Sequence, residues 1–431
     1  MICENITRDA QGTLCFGGAN VVKLIEKYGS PLYIMDESRI RTNCNAYVTA
    51  MKKYFGESAM PLYAGKAAAF KEIYRIVNDE KMGIDVVSSG EIYTACAAGF
   101  PMKRAYFHSN NKTDEDIKYA IQCGVGHFVV DNIEELTAIE QIAAASGRIQ
   151  PILLRLTPGI DPHTYEAVST GKVDSKFGSA IKTGQAAQIV SAALGCLHIR
   201  LDGFHCHVGS QVFDSDVFLR ASDIMLEFIA EVKQKFGYNA HELDLGGGYG
   251  VRYVEEDPVL DLSNQIHQVA DFIHKKCAEL HITEPAIRLE PGRSIVADAG
   301  MTVYTVGTVK KIPGYKNYVS VDGGMTDNPR FALYQSRYTV MPVENADESE
   351  IEYSVVGRCC ESGDIIQEHV KLPANIHRGA HIAVATTGAY NYSMASNYNR
   401  IARLPVVMVR NGTDRLVVRR ETMKDLVRND I

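Results

Sequence analysis

The sequence lacks the segments that carry a protein into or across a membrane. No apolar run approaches the ~18 residues that a membrane-spanning helix needs. The N-terminus, MICENITRDAQG, has acidic and polar residues where a secretory signal has a basic start and an apolar stretch. We therefore expect a soluble, cytoplasmic protein without a membrane partner.

Several sequence motifs are missing as well. The ten cysteines are scattered over 431 residues and no CxxC pair occurs, which predicts reduced thiols and no disulfide framework. No Lys/Arg-rich run is present and the formal net charge is −7, which argues against nucleic acid as a partner. The stretch LGGGYG fits neither the GxGxxG nor the P-loop pattern of nucleotide sites.

The chain is long enough for more than one domain. It is 46% hydrophobic and 23% charged, an ordinary globular composition. Single hydrophobic cores stop growing near ~250–300 residues, so this length predicts two or three domains.

Eight short β-rich runs, each ending in polar residues or glycine, alternate with helical sequence. They are PLYAGK (61–66), GIDVVS (83–88), RAYFHS (104–109), GHFVVD (126–131), PILLRLTP (151–158), LDGFHCHVGS (201–210), HELDLGGG (241–248) and AIRLEPG (286–292). The alternation predicts a parallel sheet, and eight units predict an α/β fold of the (β/α)8, TIM-like barrel class. The longer gap after the fifth run holds a polar loop, HTYEAVSTGKVDSKFGS (163–179).

The pattern changes near residue 299. Runs rich in Val, Ile, Tyr and Thr replace the alternation: MTVYTVGTVKKI, YKNYVSVDGG, HIAVATT, LPVVMVR and RLVVRRE. They are typical of an antiparallel β-domain. We predict a barrel over residues 38–297 and a β-domain after it, and the early run PLYIMD (31–36) could belong to either part.

Barrel enzymes place their chemistry at the C-terminal ends of the strands. In this chain those ends carry Lys66, Asp85, Ser88, His108, Asp131, Arg155, His205, His207, Gly246 to Gly248, Glu290 and Arg293. A lone lysine is most often a solvated surface charge. Lys66, however, lies among small residues in AGKAAA, a setting that favours desolvation and a reactive amine.

The histidines of HCHVGSQ are two residues apart, so His205 and His207 face the same side of a strand. Such a pair is more often structural than functional, and it could also bind a metal. The surrounding lysine, arginines and glycines supply no carboxylate or thiolate shell, so we expect no metal. An imidazole that stacks on a planar ring fits this setting better.

Two further strand ends favour a phosphorylated ring cofactor. The glycines of LGGGYG permit close backbone approach and expose N–H groups that can cradle an anion, although a tight turn explains them equally well. EPGR places an acid and a guanidinium three residues apart, which in isolation is most simply a surface ion pair. An amine, an imidazole, an anion cradle and an acid at one barrel mouth together favour binding of pyridoxal 5′-phosphate.

At this point the chain resembles a known family, the diaminopimelate decarboxylases, within the alanine-racemase-like (fold type III) pyridoxal phosphate enzymes that also include ornithine and arginine decarboxylases. The resemblance covers nearly the whole chain through nine motifs in family order: YAGKA, GIDVVSSGE, STGKVDSKFG, HCHVGSQ, DLGGGYG, EPGR, VDGGMTDNPRFALY, CCESGD and TTGAY. It implies a barrel (38–297) and a β-domain that combines residues 1–37 with 298–431. It also implies a head-to-tail homodimer with shared active sites.

The resemblance also implies roles for individual residues. Lys66 would hold the cofactor through its amine, His207 would stack on the ring and Glu290 would pair with the ring nitrogen. The other residues expected to contact the cofactor are Ser210, Gly246, Gly247, Gly248, Pro291, Gly292, Arg293 and Tyr390. Those expected to contact substrate are Arg293, Arg330, Tyr334, Glu361 and Tyr390. From the partner subunit, Cys360 would donate a proton and Glu361 would read the substrate.

Charge also bears on the substrate. A diamine product needs acids at the far end of its pocket, whereas meso-2,6-diaminopimelate carries a second amino acid head there. Arg293 and Arg330 would grip its carboxylate and Glu361 its ammonium. The expected reaction is decarboxylation to L-lysine and CO2, the last step of lysine biosynthesis. Ornithine, arginine or carboxynorspermidine stay open as substrates, and so does a non-catalytic homologue.

The motif CCESGD (359–364) allows several interpretations: a packing accident, half of a metal site, a redox pair or a catalytic group. Adjacent cysteines rarely form a disulfide with each other, because its geometry strains a dipeptide. No partner ligands stand at metal-site spacing. We therefore expect Cys359 to be a packing residue and Cys360 to be the acid.

Overall fold

The computed structural model describes residues 2–160, 175–344 and 349–431. The STGKVDSKFG motif and the loop around it lie partly outside these residues, since 161–174 are not described. The chain divides into two compact units. One, the barrel unit, comprises Asn43–Gly250 and Leu260–Gly292; the other, the β-rich unit, comprises Met1–Thr42, Val251–Val259 and Arg293–Ile431.

The strands of the described residues are numbered in chain order. They are β1 (Ile6–Arg8), β2 (Leu14–Phe16), β3 (Ala19–Asn20), β4 (Leu32–Asp36), β5 (Met60–Ala64), β6 (Gly83–Val86), β7 (Ala105–Phe107), β8 (His127–Val130), β9 (Gln150–Thr157), β10 (Ser179–Ala180), β11 (Ile199–His205), β12 (Glu242–Asp244), β13 (Ala286–Leu289), β14 (Gly300–Ile312), β15 (Lys316–Val321), β16 (Val340–Pro342), β17 (Glu350–Val356), β18 (Ile365–Pro373), β19 (His381–Ala385), β20 (Val406–Arg410) and β21 (Thr413–Val418).

The α-helices of the same residues follow the same numbering. They are α1 (Val21–Tyr28), α2 (Glu37–Phe55), α3 (Lys71–Asp79), α4 (Ser89–Ala97), α5 (Asp114–Cys123), α6 (Ile133–Ala145), α7 (Gln185–Leu194), α8 (Ser215–Phe236), α9 (Leu262–Glu279), α10 (Arg293–Val296), α11 (Arg330–Tyr334) and α12 (Met423–Leu426). None of these helices is long and apolar enough to span a bilayer.

In the barrel unit, eight parallel strands close into a ring in the order β5-β6-β7-β8-β9-β11-β12-β13, with β13 pairing back to β5. This confirms the predicted barrel, and all eight sequence runs contribute one strand. Apolar side chains from four of the strands, Leu62 of β5, Tyr106 of β7, Val129 of β8 and Leu153 of β9, pack as a buried cluster. The alternation of buried strands with helices such as α8, which buries one apolar face, produces this arrangement.

A bulge in β11 sets the register of the strand ends. The pairing of β11 with β9 shifts between Leu201 and Gly203. A side chain at Gly203 would place its Cβ 1.8 Å from the carbonyl oxygen of Glu242, so only glycine fits this close approach. After the bulge, His205 lies opposite Arg155 of β9 and Asp244 of β12.

The β-rich unit contains a sheet with the path β18-β17-β15-β14-β4-β20-β21, and β19 joins β14 and β16. PLYIMD forms β4, which pairs with β14 and β20 and therefore belongs to this unit. Most neighbouring pairs are antiparallel, as predicted, but β4–β20 and β15–β17 are parallel. A separate meander, β1-β2-β3, was not predicted because its strands are only two or three residues long.

Candidate active site

Glu290 is the centre of a buried polar cluster at the C-terminal ends of the barrel strands. One carboxylate oxygen, Oε1, lies 2.7 Å from His108 Nε2, and the other, Oε2, lies 3.3 Å from His205 Nε2. All three residues are buried. Because a carboxylate only accepts, the hydrogen bond with His205 requires a protonated Nε2 on that ring, whereas His108 Nε2 contacts the carboxylate at ion-pair distance. Each carboxylate oxygen of Glu290 is thus in contact with an imidazole ring from another strand end.

The titration of this cluster is set by burial and by these contacts. Burial alone would raise the pKa of Glu290, but His108 and His205 outweigh it and hold that pKa well below its ordinary value. Burial lowers the pKa of His205 to about 4, so this ring is a neutral donor. The ionised form of Glu290 is thus favoured although the site is buried.

Two neighbouring carboxyl groups behave in the opposite way. Asp244 ends β12, is fully buried and accepts the Gly246 N–H at 2.8 Å. Burial, reinforced by the nearby charge of Glu290, raises the pKa of Asp244 well above its ordinary value. Burial likewise raises the pKa of Asp85, which stands 3.9 Å from His108 Nε2. The surroundings thus favour the charged form of Glu290 and the protonated form of Asp244 and Asp85.

Lys66 follows β5 in a single 3-10 turn, Gly65–Ala67. Its neighbours Gly65, Ala67 and Ala68 are buried, whereas Lys66 itself is exposed. The charge of Lys66 nevertheless acts to lower the pKa of the buried Asp85 and of His207. The strand β5 pairs with β13, the strand that Glu290 follows, so the amine and the acid belong to adjacent strand ends.

His207, two residues beyond His205, is half-buried. Burial lowers its pKa well below the ordinary value, and the positive charges of Lys66 and Arg155 add to that effect. The two histidines of HCHVGSQ therefore have different roles. The first grips Glu290, and the second is a neutral ring at the mouth of the barrel.

The LGGGYG loop is packed closely between other strand ends. A Cβ at Gly247 would lie 2.1 Å from the carbonyl oxygen of Glu290, and one at Gly248 would lie 2.3 Å from that of Gly209. Gly246 and Gly248 also have positive φ angles of 70° and 123°. Within the described residues, no acceptor is hydrogen-bonded to the amide N–H groups of Gly247 and Gly248. The loop thus requires glycine and offers two amides suited to an anion.

In the β-rich unit, a second group of predicted residues comes together as an arginine–tyrosine cluster. Its members are Arg293, Arg330, Tyr253, Tyr334 and Tyr390. The Arg293 guanidinium lies 4.8 Å from the ring centre of Tyr390 and donates to the Tyr253 hydroxyl at 2.7 Å. Arg330 lies within 6 Å of the rings of Tyr253, Tyr334 and Tyr390, at 5.7, 5.9 and 5.6 Å.

Arg330 is the residue of this cluster that most clearly favours an anion. It is buried, and its side chain donates to Ser336 Oγ at 3.0 Å, while its Nε has no partner within the described residues. No carboxylate of residues 2–160, 175–344 or 349–431 forms an ion pair with it. A buried guanidinium without a counter-ion is expensive unless an anion binds there. We infer that this cluster receives a carboxylate or phosphate oxygen.

Sequence reasoning missed Tyr253 and Asp244, and although it listed His108 and His205 at strand ends, it did not identify them as partners of Glu290. Tyr253 lies in the segment Val251–Val259, which belongs to the β-rich unit although barrel strands precede and follow it in sequence. The short spacing of aromatic residues after the glycine loop, in GGGYGVRY, is the signal that was available. The Cys360 and Glu361 side chains are not in the arginine–tyrosine cluster; both residues are exposed on a turn of the β-rich unit.

The chain is similar to known proteins over nearly its whole length. Residues 38–297 match the family model described as "Pyridoxal-dependent decarboxylase, pyridoxal binding domain". The chain is 41% identical to the diaminopimelate decarboxylase of Bacillus subtilis, covering 100% of this chain and 98% of the relative. It is 39% identical to that of Staphylococcus aureus, covering 97% and 98%. A crystal structure of diaminopimelate decarboxylase from M. jannaschii in complex with L-lysine superposes with a TM-score of 0.92, at 32% identity and 99% and 98% coverage.

Proposed function

The chain belongs to the diaminopimelate decarboxylases of the pyridoxal-dependent decarboxylase family, and on this premise we propose that it converts meso-2,6-diaminopimelate into L-lysine and CO2. This reaction is the last step of lysine biosynthesis. The cofactor is pyridoxal 5′-phosphate. The observation that carries the proposal is the buried, ionised Glu290, gripped by two imidazoles beside the strand end that bears Lys66.

The residues present fit this cofactor. Glu290 is an ionised acid suited to a protonated ring nitrogen, and the N–H groups of Gly247 and Gly248 are suited to phosphate oxygens. His207 is a neutral ring at the same barrel mouth. The complete set that would hold the cofactor is Lys66, His207, Ser210, Gly246, Gly247, Gly248, Glu290, Pro291, Gly292, Arg293 and Tyr390.

Pyridoxal phosphate, when bound, supplies an electron sink for the bond between Cα and the departing carboxylate. The chain's own groups supply the rest. The Lys66 amine would hold the cofactor covalently. Glu290, whose charge is favoured by His108 and His205, would stabilise a proton on the ring nitrogen. The Cys360 thiol would donate its S–H proton to Cα of the substrate once CO2 has left.

Substrate choice follows from the arginine–tyrosine cluster. Arg293 and Arg330 would bind the distal carboxylate, helped by Tyr334 and Tyr390, and Glu361 would bind the distal ammonium. A diamine precursor such as ornithine has no distal carboxylate, so it would leave the buried Arg330 without a counter-ion. This supports diaminopimelate over the other basic amino acids.

We further propose a head-to-tail homodimer in the cytoplasm. The barrel domain, residues 38–297, would hold the cofactor, and residues 1–37 and 298–431 would complete the partner's site through Cys360 and Glu361. Two observations support this arrangement: both residues are exposed in the single chain, and all ten cysteines are free thiols, as in a reducing compartment.

The test is a parallel measurement of CO2 and lysine from meso-diaminopimelate by the holoenzyme. Ornithine, arginine and carboxynorspermidine serve as competing substrates, and Lys66→Ala is the inactive reference. We expect equal amounts of CO2 and lysine from diaminopimelate alone. Cys360→Ala should lose at least about tenfold in kcat, whereas its neighbour variant Cys359→Ala should retain it. CO2 release from another substrate only would refute the assignment.

A further inference from the structure

Asp364, the last residue of CCESGD, joins two loops of the β-rich unit. Its Oδ2 accepts the N–H of Cys359 at 2.7 Å, and its Oδ1 accepts the N–H of Met325 at 2.6 Å. Met325 belongs to the loop between β15 and α11, and Cys359 to the turn between β17 and β18. Asp364 itself is buried. Its carboxylate therefore links the turn that carries Cys359 to the neighbouring loop through two hydrogen bonds and fixes their relative position.

The space for this carboxylate is made by two glycines. A Cβ at Gly357 would lie 2.2 Å from Asp364 Oδ2, and a Cβ at Gly324 would lie 2.6 Å from both carboxylate oxygens. Neither position could hold another residue without displacing the carboxylate. The two loops are thus shaped around Asp364, which sets it apart from an exposed acid that happens to accept hydrogen bonds.

The other side of the turn is held by Asn399. The Cys360 N–H donates to Asn399 Oδ1 at 2.7 Å. Asn399 adopts a left-handed backbone, with φ of 51°, a conformation that asparagine tolerates better than most residues. The next residue, Arg400, donates to the carbonyl oxygen of Leu426 at 2.6 Å, which ties this segment to the C-terminal helix α12.

The two cysteines of the turn have different surroundings. Cys359 is half-buried, and burial together with the charge of Asp364 raises the pKa of its thiol to about 12. Cys360 is exposed. The N–H groups of Cys359 and Cys360 are therefore hydrogen-bonded to Asp364 and Asn399, respectively, and of the two cysteines only Cys360 is exposed. Since the side-chain direction of Cys360 follows from its backbone, these two hydrogen bonds fix the direction of its thiol.

We propose that Asp364 and Asn399 are positioning residues for the proton transfer by Cys360, an inference that rests on the proposed function. In that step the Cys360 S–H bond breaks, a C–H bond forms at Cα with the electron pair left by CO2, and the thiolate regains a proton from water. A donor that is out of place does not prevent CO2 release. It slows formation of the C–H bond, so that in the first turnover CO2 appears ahead of lysine by at most one CO2 per active site, and later turnovers release both products at the same lowered rate.

The chain offers a matched control for Asn399. Asn411 also adopts a left-handed backbone, with φ of 49°, and is exposed in the turn between β20 and β21. Asn399→Ala and Asn411→Ala therefore introduce the same backbone strain, but only the first removes the acceptor for Cys360. Asn399→Asp keeps an Oδ acceptor and tests rescue.

The experiment uses the full-length holoenzyme with meso-diaminopimelate. For Asn399→Ala we expect kcat to fall about fivefold to tenfold, the effect of one lost hydrogen bond. KM should fall in proportion, because the slowed step follows the loss of CO2, and rapid mixing should show a first-turnover burst of CO2 ahead of lysine. Asn399→Asp should restore most of kcat and remove the burst, and Asn411→Ala should match the wild type. Asp364→Asn should show the same burst of CO2; if it does not fold, the Asn399 series decides alone. An unchanged kcat without a burst in Asn399→Ala would overturn the proposal.

A second readout separates this inference from the proposed function. The alkylation rate of Cys360 by iodoacetamide, mapped by peptide mass spectrometry, reports the placement of the thiol without any substrate. We expect Asn399→Ala to change that rate at least about twofold relative to Asn411→Ala, with the rate at Cys359 unchanged. An unaltered rate at Cys360 would refute the positioning role even if the wild type proved inactive on diaminopimelate. A wild type without activity but with an altered Cys360 rate would refute the assigned reaction alone.

Discussion

Replacing Glu290 by glutamine tests the central electrostatic argument. Each oxygen of the carboxylate has an imidazole Nε2 near it, that of His108 at 2.7 Å and that of His205, which is hydrogen-bonded, at 3.3 Å. Glutamine supplies one acceptor oxygen, so its NH2 group would face the N–H of the other imidazole. One hydrogen bond to a charged group contributes about 1.5–3 kcal/mol, or about 10- to 150-fold in rate when it is felt in the transition state. The neutral amide also fails to stabilise a proton on the ring nitrogen, so we expect the upper part of that range.

The assay is kcat for CO2 release from meso-diaminopimelate at saturating pyridoxal phosphate, with cofactor affinity measured by absorbance titration. Glu242→Gln is the matched control, because Glu242 begins β12 at the opposite end of the barrel strands and pairs with Arg288 at 2.6 Å. We expect that variant to lower the melting temperature and keep kcat. If the folded Glu290→Gln enzyme kept both kcat and cofactor affinity within about twofold of the wild type, the role given to the ionised carboxylate would be wrong.

Two further predictions concern other parts of the chain. Arg330→Met should raise KM for meso-diaminopimelate roughly 30-fold or more, because truncating one partner of a buried charge pair costs about 2–5 kcal/mol. The KM of Arg330→Lys should lie between those of the wild type and Arg330→Met. Steady-state kinetics that showed an unchanged KM would contradict the anion site. Asp202 tests stability: burial raises the pKa of Asp202, but its hydrogen bonds with Arg200 and His127 outweigh this and lower that pKa to about 2. The stability that comes from this lowered pKa is fully present above the unfolded pKa of about 4 and is lost as pH falls through the folded pKa of about 2. Asp202→Asn should therefore cost about 1–2 kcal/mol at pH 7 and progressively less as pH falls toward about 2. Urea unfolding across that pH range measures the difference.

The barrel could be predicted from sequence because its strands are local patterns. Each of the eight runs combines a short apolar stretch with a polar or glycine end, and each is followed by an amphipathic helix. The β-rich unit was predicted less completely. Strands β17 and β18 carry mixed sequences, EIEYSVV and IIQEHVKLP, whose partners are set by tertiary pairing and not by a local period. The parallel pairing of β4 with β20 joins distant parts of the chain and has no sequence signal.

In the candidate site, too, local sequence features could be predicted and contacts between distant residues could not. Residue types at strand ends predicted the acid, the amine and the glycine loop. Their partners could not be predicted, since His108 meets Glu290 only when the third and eighth barrel strands face one ring. Tyr253 was missed for a similar reason: its segment leaves the barrel and joins the β-rich unit before α9 begins. The exposure of Lys66 also depends on how neighbouring turns pack, which composition does not specify.

The central position of β4 bears on how this protein is made. The strand emerges early from the ribosome, yet both of its partners, β14 and β20, are encoded much later. All barrel strands are translated before β14 or β20, so both edges of β4 stay unpaired while the rest of the chain is made. Open strand edges are templates for pairing with other chains. Synthesis that stalls after the barrel should therefore yield a product that aggregates through β4. Once β14 and β20 have been made, they pair with both edges of β4 and remove this cause of aggregation.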